Sequence, residues 1–368
     1  MESISESILN SLSARMKSTP QQAEWHGEGD VLTHTEMVCE AMCGLPEYGK
    51  LSVERQDILL AASRLHDIGK IVNTKEIAGT IESPNHAPAG SRMARERLWK
   101  AGMCGSPESI MLRESICQLI RYHSFPPHAI DSEDAIRKIH QIASSSLLAP
   151  EFSIWMLSIL SKADMLGRIC EDKIKMLEQI EMFVEMAEEE GCLHGCYPFP
   201  SQFTMHSYLN GRDVWKEQNL YDDTWGTVYM MSGLPGTGKD TWIKENLPDM
   251  PMISLDRIRL REKILPTDNQ GAVANMAREE AKEYLRRHQS FVWNATNLTQ
   301  NMRGQLISLF ESYNARVHII YLETDLHKLM ERNGSREAVV PQQVIESMLG
   351  KLVPPEPFEA AKVEWLTV

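Results

Sequence analysis

Apolar residues recur at the spacing of one helical face through the first half of the chain. Ile4, Ile8, Leu9 and Leu12 predict an amphipathic helix over residues 2–16. A turn-rich stretch from Trp25 to Val31 follows. Met37, Val38, Ala41 and Met42 then fit a helix that carries His34, with Cys39 and Cys43 read as buried thiols on it. Further helical patterns cover residues 52–65, 91–101, 107–123, 131–144, 152–167 and 172–190, the last with an acidic, solvated face. No strand pattern appears before residue 200, so this half reads as all-helical. Between 191 and 225 the periodicity fails at Gly191, Gly195, Pro198, Pro200 and Gly211. Phe199, Phe203, Tyr208 and Trp215 mark that stretch as a connector packed against a domain. Beyond it, strands at 227–232, 252–256, 290–295 and 316–323 alternate with helices at 239–246, 271–287, 299–313 and 326–332. Such alternation predicts a parallel sheet with helices on both faces. The expected architecture is two domains: a helical domain over 1–190, a connector over 191–225, and an α/β domain over 226–368.

Composition narrows the setting. The chain has 368 residues, 42% hydrophobic and 24% charged, as an ordinary globular protein does. Seven cysteines, an odd number, suggest reduced thiols and a cytoplasmic setting, and the polar first twenty residues do not read as a secretion signal. No apolar run is long enough to span a membrane. A net charge of −13 excludes binding of nucleic acid through the overall field, so any such contact must be local. Cys192, His194 and Cys196 lack a nearby partner pair and read as structural rather than as half a zinc site.

The strongest motif lies between the first strand and first helix of the second half. Gly233, Gly236, Thr237, Gly238 and Lys239 follow the template of a phosphate-binding loop, in which glycines turn backbone N–H groups inward around phosphate oxygens. Lys239 is placed to reach the β- and γ-phosphates at a helix N-terminus. Asp240 stands where the template has a hydroxyl. A carboxylate there repels a triphosphate unless it faces Mg²⁺ or the hydroxyl role passes to Thr241. Downstream, Asp256 is expected at a strand end, where a carboxylate can accept a proton from an attacking hydroxyl, with Arg259 one turn on to hold an acceptor phosphate. Arg332 and Arg336 share a helix face on a lid and can clamp donor phosphates.

In the first half, His34, His66-Asp67, His86, His123 and Asp164 form an ordered series at helix ends or inner faces. Imidazole and carboxylate ligands suit Mn, Fe, Co, Ni or Zn, and two such metals together polarise a phosphoryl oxygen and supply hydroxide near neutral pH. With Gly69-Lys70 after His66-Asp67, these residues resemble the HD phosphohydrolase superfamily over about residues 25–170. The resemblance implies that His34, His66, Asp67 and Asp164 hold one metal, and that Asp67 bridges to a second held by His86 and His123. Lys70 and Arg168 become candidates for contacting a substrate phosphate. His26 and His128 read as structural or supporting.

Residues 226–360 resemble the phage-type polynucleotide 5′-kinases. That resemblance implies Asp256 as general base, Arg259 on the acceptor phosphate, Arg332 and Arg336 on the donor, and ATP or another NTP with Mg²⁺ as cofactor. Asn294 departs from the family, sitting where related kinases often have Asp. The whole chain resembles bacterial fusions of an HD domain with a polynucleotide kinase that heal broken RNA ends. The fusion implies removal of a 2′,3′-cyclic or 2′(3′)-phosphate, phosphorylation of a 5′-OH, and a separate RNA ligase acting afterwards. Two alternatives stand beside it: a nucleotidase or nuclease fused to a small-molecule kinase, and a nucleotide-gated regulator. No residue pattern here reads a 2′-OH, so RNA rather than DNA comes from the resemblance alone.

Overall fold

A computed structural model describes residues 1–264, 270–335 and 339–368. The chain divides into two compact units: residues 1–104 with 108–198, and residues 105–107 with 199–368.

The first unit is built from helices. They span Glu2–Lys17, Val31–Gly44, Val53–Leu65, His86–Lys100, Pro107–Tyr122, Ala135–Ser144, Ile154–Leu166 and Lys173–Glu189. Several start on a polar cap: the side chains of Asp30, Ser52 and Ser153 each accept the backbone N–H three residues on. The helix Ile154–Leu166 is buried nearly all round, as its continuous apolar sequence requires. Val38, Leu59, Ile120, Leu157, Leu160 and Phe183 belong to one hydrophobic core in this unit.

Several expectations are corrected here. A short antiparallel hairpin, β1 (Lys75–Ile77) and β2 (Thr80–Glu82), interrupts the helical half. Its side chains are nearly all exposed, so no alternating apolar pattern announced it. Its two-residue loop, Ala78-Gly79, has positive φ at both positions, which matches the twist of a tight hairpin. The helix expected from residue 131 starts at Ala135, behind a 3₁₀ segment at Pro126–Asp131. Cys43 is exposed and Cys39 half-buried, so they are not a buried pair. The stretch read as aperiodic contains a helix, Gln202–Leu209, capped by Ser201. Within the second unit, His206 of that helix meets Phe358 O through Nδ1 and Glu311 Oε1 through Nε2, at 2.8 and 2.6 Å. Trp215, expected to pack, is 79% exposed.

The second unit carries a five-stranded parallel sheet. Its strands are β3 (Thr227–Ser232), β4 (Met252–Ser254), β5 (Phe291–Asn294), β6 (Arg316–Glu323) and β7 (Lys362–Thr367), in the spatial order β4-β5-β3-β6-β7. Alternate residues of the central strands enter two cores. Val228, Met230, Trp293 and Ile319 face the helices Gln270–Arg286 and Gln300–Glu311, whereas Met231, Val292, Ile320 and Leu322 face Ile243 of the helix Lys239–Asn246. Apolar side chains on both faces are the mark of a buried parallel sheet. The edge strand β7, half-exposed and charged at Lys362 and Glu364, carries no such signal and was not anticipated. Strand β4 ends at Ser254 rather than at Asp256, because Ser254 caps a helix, Leu255–Glu262, that places Asp256 in its first turn.

A buried ion pair fixes the C-terminal segment behind the sheet. Arg303 donates from Nε and Nη2 to both oxygens of Glu359, at 2.7 and 2.8 Å, and from Nη1 to the carbonyls of Asn297 and Val353. Removing one partner strands the other charge in the interior. Arg303→Leu should therefore cost about 3–5 kcal/mol, read from the urea transition of this unit, and the double change Arg303→Leu, Glu359→Leu should cost less than the single one.

Candidate functional site

Five helix ends converge in the first unit. His34 lies in the first turn of Val31–Gly44, and His66 and Asp67 close Val53–Leu65. His86 opens His86–Lys100, His123 follows Pro107–Tyr122, and Asp164 sits in the last turn of Ile154–Leu166. The turn after Asp67 must touch another backbone: a Cβ on Gly69 would lie 2.0 Å from His86 O and 2.5 Å from Gly90 N. Only glycine permits that approach, which brings His86 beside Asp67. Ser161 holds His123 from the far side by donating to its carbonyl at 3.0 Å.

Hydrogen bonds fix three of the four imidazoles. Nδ1 of His66, His86 and His123 lies 2.8–2.9 Å from the carbonyls of Ser63, Ser83 and Ile120 respectively. A carbonyl only accepts, so each Nδ1 carries the hydrogen and each ring turns its Nε2 to the centre. His34 Nδ1 lies 2.9 Å from Glu28 Oε1, an electrostatic contact rather than an aligned hydrogen bond. The consequence is electrostatic. His34 Nε2 and His66 Nε2 stand 3.3 Å apart, and His86 Nε2 and His123 Nε2 stand 3.4 Å apart. Two lone pairs facing at those distances repel unless a proton or a metal cation lies between them.

Asp67 lies between the two pairs. Its Oδ2 is 3.5 Å from His34 Nε2 and 3.3 Å from His66 Nε2; its Oδ1 is 3.4 Å from His86 Nε2 and 3.7 Å from His123 Nε2. Asp164 Oδ1 joins the first pair, 3.0 Å from His34 Nε2. Both Asp67 oxygens are buried without an oriented hydrogen-bond donor, although Lys70 Nζ is 2.8 Å from Oδ2. The donor set therefore fits two cations, one among His34, His66, Asp67 and Asp164 and one among Asp67, His86 and His123.

The charge balance agrees with the geometry. Burial opposes the Asp67 carboxylate, yet Lys70 and His66 outweigh it and hold its pKa well below the usual range. Burial likewise opposes Asp164, which Arg168 and His34 hold low; Arg168 binds it at 2.6 and 3.1 Å. Burial pushes His123 down to about 3 and lowers His86, so both are neutral ligands at ordinary pH. Burial also opposes charge at His66, but Asp67 and Asp164 prevail and raise it.

Other residues fall around this cluster. Lys70 Nζ donates to Gln21 Oε1 at 2.6 Å and lies 3.4 Å from His26 Nε2. His128 is exposed on the 3₁₀ segment. Glu28 was missed by the sequence reading. Its Oε1 meets His26 Nδ1 at 2.8 Å and lies 2.9 Å from His34 Nδ1, and its Oε2 accepts the Ile169 amide. Its only sequence signal was a carboxylate in the turn just before the helix of His34.

In the second unit, the loop after β3 has the shape of a phosphate cradle. Gly233, Gly236 and Gly238 have positive φ, and a Cβ on Gly233 would lie 2.5 Å from Leu322 O. Among the described residues, the amides of Gly236, Gly238 and Asp240 donate to no backbone carbonyl, and they open the helix Lys239–Asn246. Lys239 Nζ lies over the loop, 2.9 Å from Gly233 O and 2.8 Å from Leu234 O. Thr237 is buried and donates to Leu234 O, while Thr241 is exposed. Arg332, on the helix Leu326–Gly334, brings Nη1 to 3.4 Å from where a Gly238 Cβ would be. Arg336 lies outside the described residues. Asp256 and Arg259 form an ion pair on one turn of Leu255–Glu262. Asn294 ends β5 and donates from Nδ2 to Asp240 Oδ1 at 2.6 Å.

Two protein-family models match the chain: HD domain over residues 31–142 and AAA domain over residues 228–355. The chain thus joins an HD domain to a P-loop, kinase-like domain, a pairing that supports a phosphohydrolase fused to a kinase. The HD match stops short of Asp164, which the fold nevertheless delivers to the same cluster. Among the described residues, no helix is long and apolar enough to cross a membrane.

Because the Glu28 carboxylate lies beside His34 Nδ1 and favours a metal on Nε2 electrostatically, Glu28→Gln should lower affinity for a transition metal by roughly 10–100-fold. Competition against a chromogenic chelator reads this directly.

Proposed function

We propose that this chain heals broken nucleic-acid ends, with two opposite phosphate chemistries on one polypeptide. The first unit removes a 2′,3′-cyclic or 2′(3′)-phosphate, and the second transfers the γ-phosphate of an NTP to a 5′-OH. The ends then suit a separate ligase. RNA is the preferred substrate by resemblance to the bacterial end-healing fusions.

In the first unit, His34, His66, Asp67 and Asp164 would hold one transition metal, and Asp67, His86 and His123 a second. Metals so placed would polarise a phosphoryl oxygen and lower the pKa of water. The protein's own contribution is to keep His86 and His123 neutral and to aim the imidazoles at the centre. Lys70 sits beside the bridging carboxylate, where its charge can meet a substrate oxygen. Arg168 binds Asp164 through Nε and Nη2, which leaves Nη1 for the same use.

In the second unit, the loop amides and Lys239 would hold the donor phosphates, with Mg²⁺ as counter-ion. Arg332 and Arg336 would offset charge as the phosphoryl group moves. The observation that carries the reading is the pairing of Asp256 with Arg259 on one helical turn beyond the carboxyl end of β4. There Asp256 can take the proton of an incoming 5′-OH while Arg259 holds the adjoining phosphate. A nucleotide-gated regulator has no use for an acceptor clamp.

RNA carrying a 5′-OH and a 2′,3′-cyclic phosphate, incubated with γ-labelled ATP, tests both halves. Lys239→Ala or Asp256→Ala should reduce label transfer by about 100-fold or more and spare removal of the 3′-end phosphate. The double change His66→Ala, Asp67→Ala should do the reverse. Loss of both activities from either variant contradicts the division of labour. ATP hydrolysis by the unaltered protein with no transfer to RNA would favour the regulator instead.

A further inference from the structure

In a phosphate loop, Mg²⁺ is ordinarily shared between a Ser or Thr hydroxyl following the loop lysine and a carboxylate from a strand of the sheet. Here both positions depart from that pattern together. The residue after Lys239 is Asp240, and the residue ending the neighbouring strand β5 is Asn294. They meet directly, Asn294 Nδ2 donating to Asp240 Oδ1 at 2.6 Å.

We infer that the two positions have exchanged roles, so that Asp240 carries the Mg²⁺-binding charge and Asn294 aims it. The inference rests on the kinase reading of this site. Formal charge is conserved by the exchange: hydroxyl plus carboxylate and carboxylate plus amide each sum to −1. What changes is where the charge lies. It moves from the strand end to the first turn of the helix Lys239–Asn246, beside the amides that would receive the phosphates.

Three features support the exchange. Asn294 is buried at the end of β5, and its amide also meets Met252 Sδ at 3.5 Å, so it is held rather than free to turn. Its N–H points at Asp240, which commits Oδ1 and leaves Oδ2 of an exposed carboxylate for a metal. Among the described residues, Asp240 accepts no other hydrogen bond and has no cationic partner. A carboxylate without a cation, next to a triphosphate, is repelled. A divalent ion between the two converts that repulsion into attraction. The exchange therefore couples the nucleotide to its metal: it binds well as a metal complex and poorly without one.

The test uses the full-length protein and a fluorescent ATP analogue, titrated in EDTA and at graded Mg²⁺, with Mn²⁺ as a paramagnetic probe. Asp240→Asn should raise the Mg²⁺ needed for half-saturation by roughly tenfold or more, while strengthening binding in EDTA. Asp240→Ser should behave likewise. Adding Asn294→Asp to Asp240→Ser should restore the Mg²⁺ requirement to within about threefold of the starting protein and return the Mn²⁺ signal. An unchanged Mg²⁺ requirement in Asp240→Asn overturns the inference. So does a double variant no better than Asp240→Ser, or a loss of Mg²⁺ dependence that appears in Thr241→Val instead. If the double variant does not fold, the isosteric change at exposed Asp240 decides alone. Failure of the unaltered protein to bind the nucleotide would count against the kinase reading itself, and is thereby told apart from failure of the exchange.

Discussion

The buried carboxylate of Asp67 lies between two pairs of imidazoles whose Nε2 atoms face each other, and a buried site does not tolerate that arrangement without positive charge. The rest of the helical unit answers this constraint. Helix-end carbonyls left over at Ser63 and Ile120, and the carbonyl of Ser83, fix three ring tautomers. Glu28 lies beside Nδ1 of the fourth ring. Lys70 and Arg168 supply the nearest permanent charges, one on each carboxylate. Because the ligands stand at helix ends rather than mid-helix, the helices can pack as a conventional apolar core while their termini present polar groups to one point.

The α/β unit solves a different problem with backbone rather than side chains. A parallel sheet puts all its carboxyl ends on one side, so the loop after β3, the end of β5 and the helix after β4 gather there without any special sequence. Glycines let the loop curl, and its open amides supply the positive end of a helix. Side chains then tune the site: Lys239 and Arg332 add charge, and Asp240 with Asn294 sets where the negative charge lies.

Legibility in the sequence followed from how local each constraint is. The glycine-rich loop and its flanking strand and helix were readable because turn, strand and cap are adjacent in the chain. Most helices of the first half were readable because they present a buried stripe at a 3.6-residue period, and Ile154–Leu166 because its apolar run is nearly continuous. The hairpin at 75–82 and the edge strand β7 were not, since neither has a buried face that would impose alternation. Asp256 reads as a strand end in the sequence because a short, charged helix with one buried residue, Ile258, leaves no periodic trace. Glu28 escaped because its importance comes from a ring six residues away, turned toward it by tertiary packing.

By itself, then, the sequence determined the division into a helical and an α/β half, the phosphate loop, and the residue types able to bind metal, all properties set by near neighbours in the chain. Tertiary structure decided the rest. It chose which oxygen of Asp67 faces which imidazoles, brought Asp164 to His34 across 130 residues, and set Asn294 against Asp240. The physical reason is that these are distances of a few ångströms between groups far apart in sequence. Only the packing of helix ends and the register of parallel strands fixes them.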